Sequence, residues 1–277
     1  MSVQKIDKTT LLVGSDPEVF LIDRDSREFV SAIGKIPGSK DSPYPLPELG
    51  KGFALQTDCC SVEFNVPPVT NSQDFYNNIQ KMFNHIRSII PSGLDISLAT
   101  SGEFSKSDLR HPQAKLAGCS SDYNAWSLTV NDKPNFKATN IRCNGAHLHF
   151  GYEGFNDATS IELIKALDLT IGVTSLLIDS DRERRKLYGR AGCFRMTYFG
   201  IEYRTPSPYY LASQELVDHV FRGIDKAIDL VNSGKEYTDE EQLDIQTCIN
   251  IADIDMAEEL IKKYKLESIL PIGVFVH

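Results

Sequence analysis

The sequence predicts a mixed α+β protein, on three observations: strand-like apolar runs crowd the first third, runs of helical period crowd the end, and neither an internal repeat nor a linker separates them. Residues 1–277 therefore read as a single domain, with a helical C-terminal segment over 211–277. Residues 11–13, 18–22, 28–33 and 53–66 read as strands punctuated by Gly, Pro, Asp and Ser. Between the last two, residues 34–52 carry four prolines and four glycines around Lys35, Lys40 and Lys51, which predicts a long mobile substrate loop or a plain hairpin excursion.

Apolar Phe75, Ile79, Met82, Phe83, Ile86 and Ile90 recur at helical spacing, predicting a helix over 72–90 with Ser72 as cap and Pro91 as stop. A strand over 94–99 follows, then a polar, irregular stretch over 100–137 with the single tryptophan, Trp126. Residues 144–151 read Asn-Gly-Ala-His-Leu-His-Phe-Gly. On a strand of period two, His147 and His149 share one face, and Ala146, Leu148 and Phe150 the other. Asn156 or Asp157 caps a helix reaching about 178, an Arg-rich segment follows, and 193–204 reads as a strand or hairpin. Helices over 212–232 and from the capping box Thr238-Asp239-Glu240-Glu241 close the chain.

The 277 residues are 41% hydrophobic, enough for a sizeable core. A formal charge of −9 argues against general nucleic-acid binding or adsorption to anionic membrane. Positive charge is concentrated instead in Arg182, Arg184, Arg185, Lys186, Arg190, Arg195 and Arg204, which suits a small anionic ligand. No signal-like segment and no apolar run of the ~18 residues needed to span a bilayer is found, so a cytoplasmic location is expected. The six cysteines lack C-x-x-C spacing and read as reduced thiols, with Cys59 and Cys60 alternating across a strand.

Signatures for a phosphate loop, dinucleotide binding, protein kinases, H-E-x-x-H proteases and G-x-S-x-G hydrolases are absent. What remains is carboxylate and imidazole on strands: Asp16 and Glu18, Glu63, His147 and His149, and Glu202 with Arg204 two residues on. Hard divalent cations favour such oxygen donors together with substrate phosphates, and an arginine beside a metal-binding glutamate suits phosphoryl transfer.

The string Asn144-Gly-Ala-His147-Leu-His149 resembles the glycine-flanked His-x-His strand of glutamine synthetases, and Gly200-Ile-Glu202-Tyr-Arg204-Thr-Pro206 resembles their Ile-Glu-Val-Arg-x-Pro strand. Residues 14–20 with Asp16-Pro17-Glu18, residues 58–67 from Asp58 through Glu63 to Pro67, 118–126, and 185–195 from Arg185 to Arg195 resemble, in that order, the smaller carboxylate-amine ligases of bacteriophages. The resemblance spans roughly 10–210 and points to the superfamily of glutamine synthetase and glutamate-cysteine ligase.

It implies an ATP-dependent carbon-nitrogen ligase acting through an acyl phosphate, with a curved, mainly antiparallel sheet lining the active site and helices on its outer side. It also implies Mg²⁺ or Mn²⁺ held by Glu18, Glu63, His147 and Glu202, with Asp16 and Asp58 as further acidic candidates. His149 would sit at the nucleotide, Arg185, Arg190, Arg195 and Arg204 at phosphate and substrate carboxylate, and Lys40 would close over the site. Asp58 or Glu63 would take the proton of the attacking amine. The partners would be a small-molecule or peptide carboxylate and amine, in host cytoplasm if the protein is phage-encoded; oligomerisation is left open. The rivals are a guanidino-kinase-like phosphotransferase and a non-catalytic ATP- or metal-binding protein of the same fold.

Overall fold

The computed structural model describes residues 2–115, 122–131, 139–154, 156–179 and 181–276. Strands β1 (Leu12–Ser15) and β2 (Glu18–Asp23) lie end to end along one side of the long β6 (Ser61–Val69). Val13 faces Val69, Ser15 faces Val66, Glu18 faces Glu63 and Val19 faces Val62. Asp16 and Pro17 interrupt this line. Proline has no N–H for a ladder, yet the Pro17 carbonyl still accepts the Phe64 N–H at 3.1 Å. At the same point the outer neighbour changes. β1 pairs with β11 (Leu148–Gly151), whereas β2 pairs with β3 (Phe29–Val30) and β7 (Leu94–Ser97).

Beyond β11 come β13 (Gly200–Tyr203), β12 (Cys193–Thr197) and the short edge β9 (Tyr123–Asn124). On the far side of β6 lie β5 (Ala54–Asp58) and β4 (Tyr44–Pro45). Every pairing between these strands is antiparallel, as in the two-stranded ribbon of β8 (Ser101–Glu103) and β10 (Ile141–Cys143). The α+β, mainly antiparallel expectation is borne out.

Alternation along the strands sorts the chemistry. Val62 and Phe64, Leu148 and Phe150, and Ile201 and Tyr203 enter one core. The intervening Glu63, His149 and Glu202 take the opposite face. Covering the core face are α1 (Ser72–Ile89), α2 (Asp157–Leu167) and α4 (Gln214–Asn232). Phe75, Ile79, Met82, Phe83 and Ile86 of α1 are buried at the predicted spacing. Between α2 and α4 the chain passes through a π-helical segment (Asp168–Val173), a 3₁₀ segment (Thr174–Leu177) and α3 (Arg182–Leu187). The former two carry a second core with α5 (Asp239–Ile251) and α6 (Ile254–Tyr264).

Several local expectations are corrected. Asn71, not Ser72, caps α1, its side chain accepting the Asp74 N–H at 2.9 Å, because Ser72 already has helical backbone. Asn156 caps α2 in the same way. The run 53–66 is two strands, not one. Cys59 takes φ +51° and, with Cys60, makes a two-residue hairpin turn between Asp58 and Ser61. The segment 34–52 is a packed excursion, since β4 pairs with β5 and Leu46 is buried. Finally, the strand expected over 144–151 starts only at Leu148. Asn144 is turned inward, accepting from the Ser61 hydroxyl at 2.7 Å and donating to the Ala99 carbonyl at 3.0 Å. The capping box on Thr238 and Glu241 forms as expected.

Candidate active site

Antiparallel register aligns one row of side chains across the polar face. Arg195 on β12 stands opposite Glu202 on β13, Glu202 opposite His149 on β11, and His149 opposite Gly14 on β1. Along β6 the row resumes with Glu18 opposite Glu63 and Glu63 opposite Gln56. Two groups of potential ligand atoms result, Asp16 with His149 and Glu202, and Glu18 with Asp58 and Glu63; within each, the atoms lie within 4.8 Å of one another.

In the first group, Asp16 Oδ1 lies 3.1 Å from His147 Nδ1 and 3.2 Å from His149 Nε2, and His147 Nδ1 lies 3.3 Å from Glu202 Oε1. His147 precedes the strand yet shares the face of His149, as period two requires. Glu202 is wholly buried under two guanidinium groups: Arg195 Nη2 reaches Oε2 at 2.5 Å, and Arg204 Nη1 donates to Oε1. Arg204 Nε also meets Asp122 at 3.2 Å. Burial works against the Asp16 charge, but the facing His149 and His147 hold its carboxyl well below the usual carboxylate range. Burial and then the Arg204 charge lower His147, whereas for His149 the Asp16 charge overcomes burial and raises it.

The second group is short of positive charge. Burial, then the neighbouring Asp58, pushes Glu18 up to about 8, partly offset by the Gly145 N–H donating at 2.6 Å. Burial and the Asp16 charge raise Glu63 well above its ordinary value. Lys40 Nζ, from the 34–52 excursion, supplies one cation at 2.7 Å from Asp58.

Asp16 Oδ1, His147 Nδ1, His149 Nε2 and Glu63 Oε2 are buried atoms without a hydrogen-bond partner, although the first three approach one another closely. Lone pairs converging without hydrogen-bond geometry are what a hard cation would fill. The donors, carboxylate oxygen with imidazole nitrogen, fit Mg²⁺ or Mn²⁺.

The Arg-rich segment does not act as one patch. Arg195 and Arg204 are at Glu202, but helical periodicity disperses the rest. Arg185 is buried with Nη1 3.4 Å from the Gly189 carbonyl, and Arg190 is exposed with Nη2 3.5 Å from the Lys186 carbonyl. Neither is among the ion pairs or hydrogen bonds of the two clusters in the described residues. Of the stretch 118–126, residues 118–121 lie outside the described residues.

Sequence reasoning missed four supporting side chains. Arg184, buried, donates to the carbonyls of Asn144, Thr205 and Pro206 at 2.7 to 2.8 Å and ties together the strand ends that present His147 and Arg204. Tyr188 OH meets His147 Nε2 at 2.9 Å and Arg204 Nη2 at 2.5 Å. Asp122 is the second partner of Arg204. Asp168, buried in the π-helical segment, accepts from Trp126 Nε1 at 2.7 Å, Tyr203 OH at 2.8 Å and the Gly192 N–H at 2.5 Å, and burial raises it to about 6. Asp168 thus braces β12 and β13 from the core side. A buried acid in a local π-turn is the one signal, and it is invisible before coordinates.

Among curated proteins no sequence matches this chain. The whole fold is similar, weakly, to two solved structures. One, a crystal structure of a bifunctional glutathione synthetase from Pasteurella multocida, aligns at 11% identity and TM-score 0.43 over 94% of this chain and 50% of that one. The other, a GmaS/ADP complex, aligns at 12% identity and TM-score 0.42 over 96% and 66%. The chain thus spans half to about two thirds of their lengths. No helix among the described residues is long and apolar enough to cross a membrane. A family model, the phage phiEco32-like COOH.NH2 ligase-type 2, matches residues 138–246, the segment holding His147, His149, Arg195, Glu202 and Arg204. The resemblance of the strand motifs to phage carboxylate-amine ligases is borne out over residues 138–246, the stretch that matches that family's model.

Proposed function

We propose that the protein is an ATP-dependent carboxylate-amine ligase, formed by one domain over the whole chain, that makes an amide or peptide bond between a carboxylate and an amine. The observation that carries this reading is the row of carboxylate, imidazole and guanidinium across one sheet face, with three buried, unpartnered donor atoms of Asp16, His147 and His149 close to one another and a fourth, Glu63 Oε2, in the neighbouring cluster. Asp16, His147, His149 and Glu202 would hold one divalent ion, and Glu18, Asp58 and Glu63 a second. Bound there, Mg²⁺ or Mn²⁺ would neutralise the phosphates of ATP.

The remaining work falls to the chain. A carboxylate resists amine attack because its carbon is electron-rich and its oxygen leaves poorly, so the terminal phosphoryl group is first transferred to a carboxylate oxygen and ADP departs. The amine then adds to the acyl carbon, and phosphate leaves. Arg195 and Arg204, fixed by Glu202, would neutralise charge spreading over the transferring phosphoryl oxygens. Lys40 is the cation poised on the other side. For the amine's proton, Glu63 and Asp58 are the candidate bases.

The test is metal-dependent release of ADP and phosphate, screened across pools of carboxylates and amines, in the wild type and in Glu202→Gln and Glu63→Gln. A loss of about a hundredfold or more is expected in each variant. Undiminished turnover would remove the assignment. Phosphate retained on an acceptor, with no new amide, would replace it by the phosphotransferase reading.

A further inference from the structure

The hairpin carrying Arg195 and Glu202 ends in a turn made of Tyr198 and Phe199, between paired Thr197 and Gly200. Two-residue hairpin turns favour glycine, asparagine and aspartate, and surfaces tolerate but do not seek large aromatic rings. Here Tyr198 is 101% exposed and Phe199 43% exposed. A broken local rule that leaves such rings open to solvent beside the site points to function.

The tip is held in place. Gly200 has φ +153°, and a Cβ on it would stand 1.8 Å from the Phe150 carbonyl oxygen, so only glycine lets β13 begin this close to β11. The Phe199 ring accordingly lies 5.5 Å from the His149 ring, and Tyr198 meets Phe199 edge-on at 5.1 Å. Thr197 shares the strand face of Arg195, and its buried hydroxyl has no hydrogen-bond partner. Reading outward along the hairpin, the order is guanidinium at Arg195, an unpartnered hydroxyl at Thr197, and aromatic rings at the tip. At ~3.3 Å per residue, Arg195 and Tyr198 are about 10 Å apart, a span that a triphosphate and ribose can bridge.

We propose that Tyr198 and Phe199 form a stacking shelf for the base of the nucleotide, with the Thr197 hydroxyl beneath the ribose. The inference rests on the ATP reading above and adds the residues that would hold the base, with Phe199 beside His149 and Tyr198 further out on the hairpin tip. Stacking recognises a ring face, so the shelf contributes to binding of a base-bearing ligand and nothing to binding of a bare phosphate chain.

The experiment is calorimetric titration of Mg·ATP and of Mg·tripolyphosphate, which lacks base and ribose, into the wild type, the double variant Tyr198→Ser/Phe199→Ser, and the conservative Tyr198→Phe. The shelf predicts that the double variant binds ATP about tenfold more weakly, binds tripolyphosphate as the wild type does, and that Tyr198→Phe keeps wild-type ATP affinity. Unchanged ATP affinity in the double variant overturns the shelf while leaving the ligase reading intact, as does equal weakening of both ligands, which would mark a merely structural hairpin. A wild type that binds tripolyphosphate but gains nothing from the base also overturns the shelf. A wild type that binds neither ligand overturns the ATP reading and the shelf with it.

Discussion

The two ligand clusters sit side by side on one sheet face but are built on opposite electrostatic plans. Around Asp16 and Glu202, two guanidinium groups and His149 bring positive charge into the protein, and the Asp16 carboxyl is held well below the usual carboxylate range. Around Glu18, Asp58 and Glu63 the only facing cation among the described residues is Lys40, whose side chain is 43% exposed. Burial therefore shifts Glu18 and Glu63 upward instead of being compensated. The first cluster is assembled before any ligand arrives, whereas the second requires a dication to be fully ionised.

The contrast breaks most sharply at Glu202. Glu202→Leu removes the shared carboxylate from the more accessible Arg195 and from Arg204, 3% exposed, which keeps Asp122. Breaking a buried pair from one side costs roughly 3–5 kcal/mol, and urea denaturation of the metal-free protein should show a loss of that order. A loss under about 1 kcal/mol would mean that the first cluster is no better assembled than the second.

Glu63→Gln should behave oppositely. In metal-free protein it relieves repulsion and leaves stability equal or higher, while removing much of the stabilisation from saturating Mg²⁺, about 2–3 kcal/mol at a hundredfold excess over Kd. The same cluster sets a pH dependence. The folded value of Glu18 is pushed to about 8 from an ordinary 4.5, so its contribution is complete below pH 4.5 and is lost as pH rises through about 8. Thermal melts in a chelator should accordingly decline over that interval, and melts with Mg²⁺ should decline less. Parallel curves with and without metal would count against a cation at this cluster.

Lys40→Met is expected to have the smallest effect. The exposed ammonium is screened by solvent, so chelator-treated protein should lose no more than about 1 kcal/mol. Mn²⁺ titration should show equal or tighter binding once the competing internal cation is removed, and a weakened Mn²⁺ affinity would show that Lys40 supports the cluster.

How much of this was legible beforehand follows from range in the chain. Period-two alternation placed His149, Glu63 and Glu202 opposite the core residues, and helical period with a capping box found α1, α4 and the start of α5. These signals are local. The roles of Arg184, Tyr188, Asp122 and Asp168 depend on contacts between residues 16 to 82 positions apart, and no spacing rule encodes them. The Arg-rich run shows the same limit: its members in α3 are parcelled out around a short helix, and Arg184 is the one whose hydrogen bonds tie the strand ends. The Cys59–Cys60 turn escaped notice because neither residue is a usual turn former, and the positive φ at Cys59 is sustained by the pairing on either side.

The interruption at Asp16 and Pro17 has a consequence for this protein's tolerance of change. Because Ser15 and β2 keep one register along the same partner strand, with a register shift only beyond Ser15 at Val13, a single-residue deletion in this link would compel one side of it to slip, inverting its inward and outward sides. Either Val13 or Val19 would then surrender its apolar neighbours, or one of the two acids would be turned into the hydrocarbon interior. Length at this joint is therefore under tighter constraint than residue identity, and indels should be purged here even where substitutions survive.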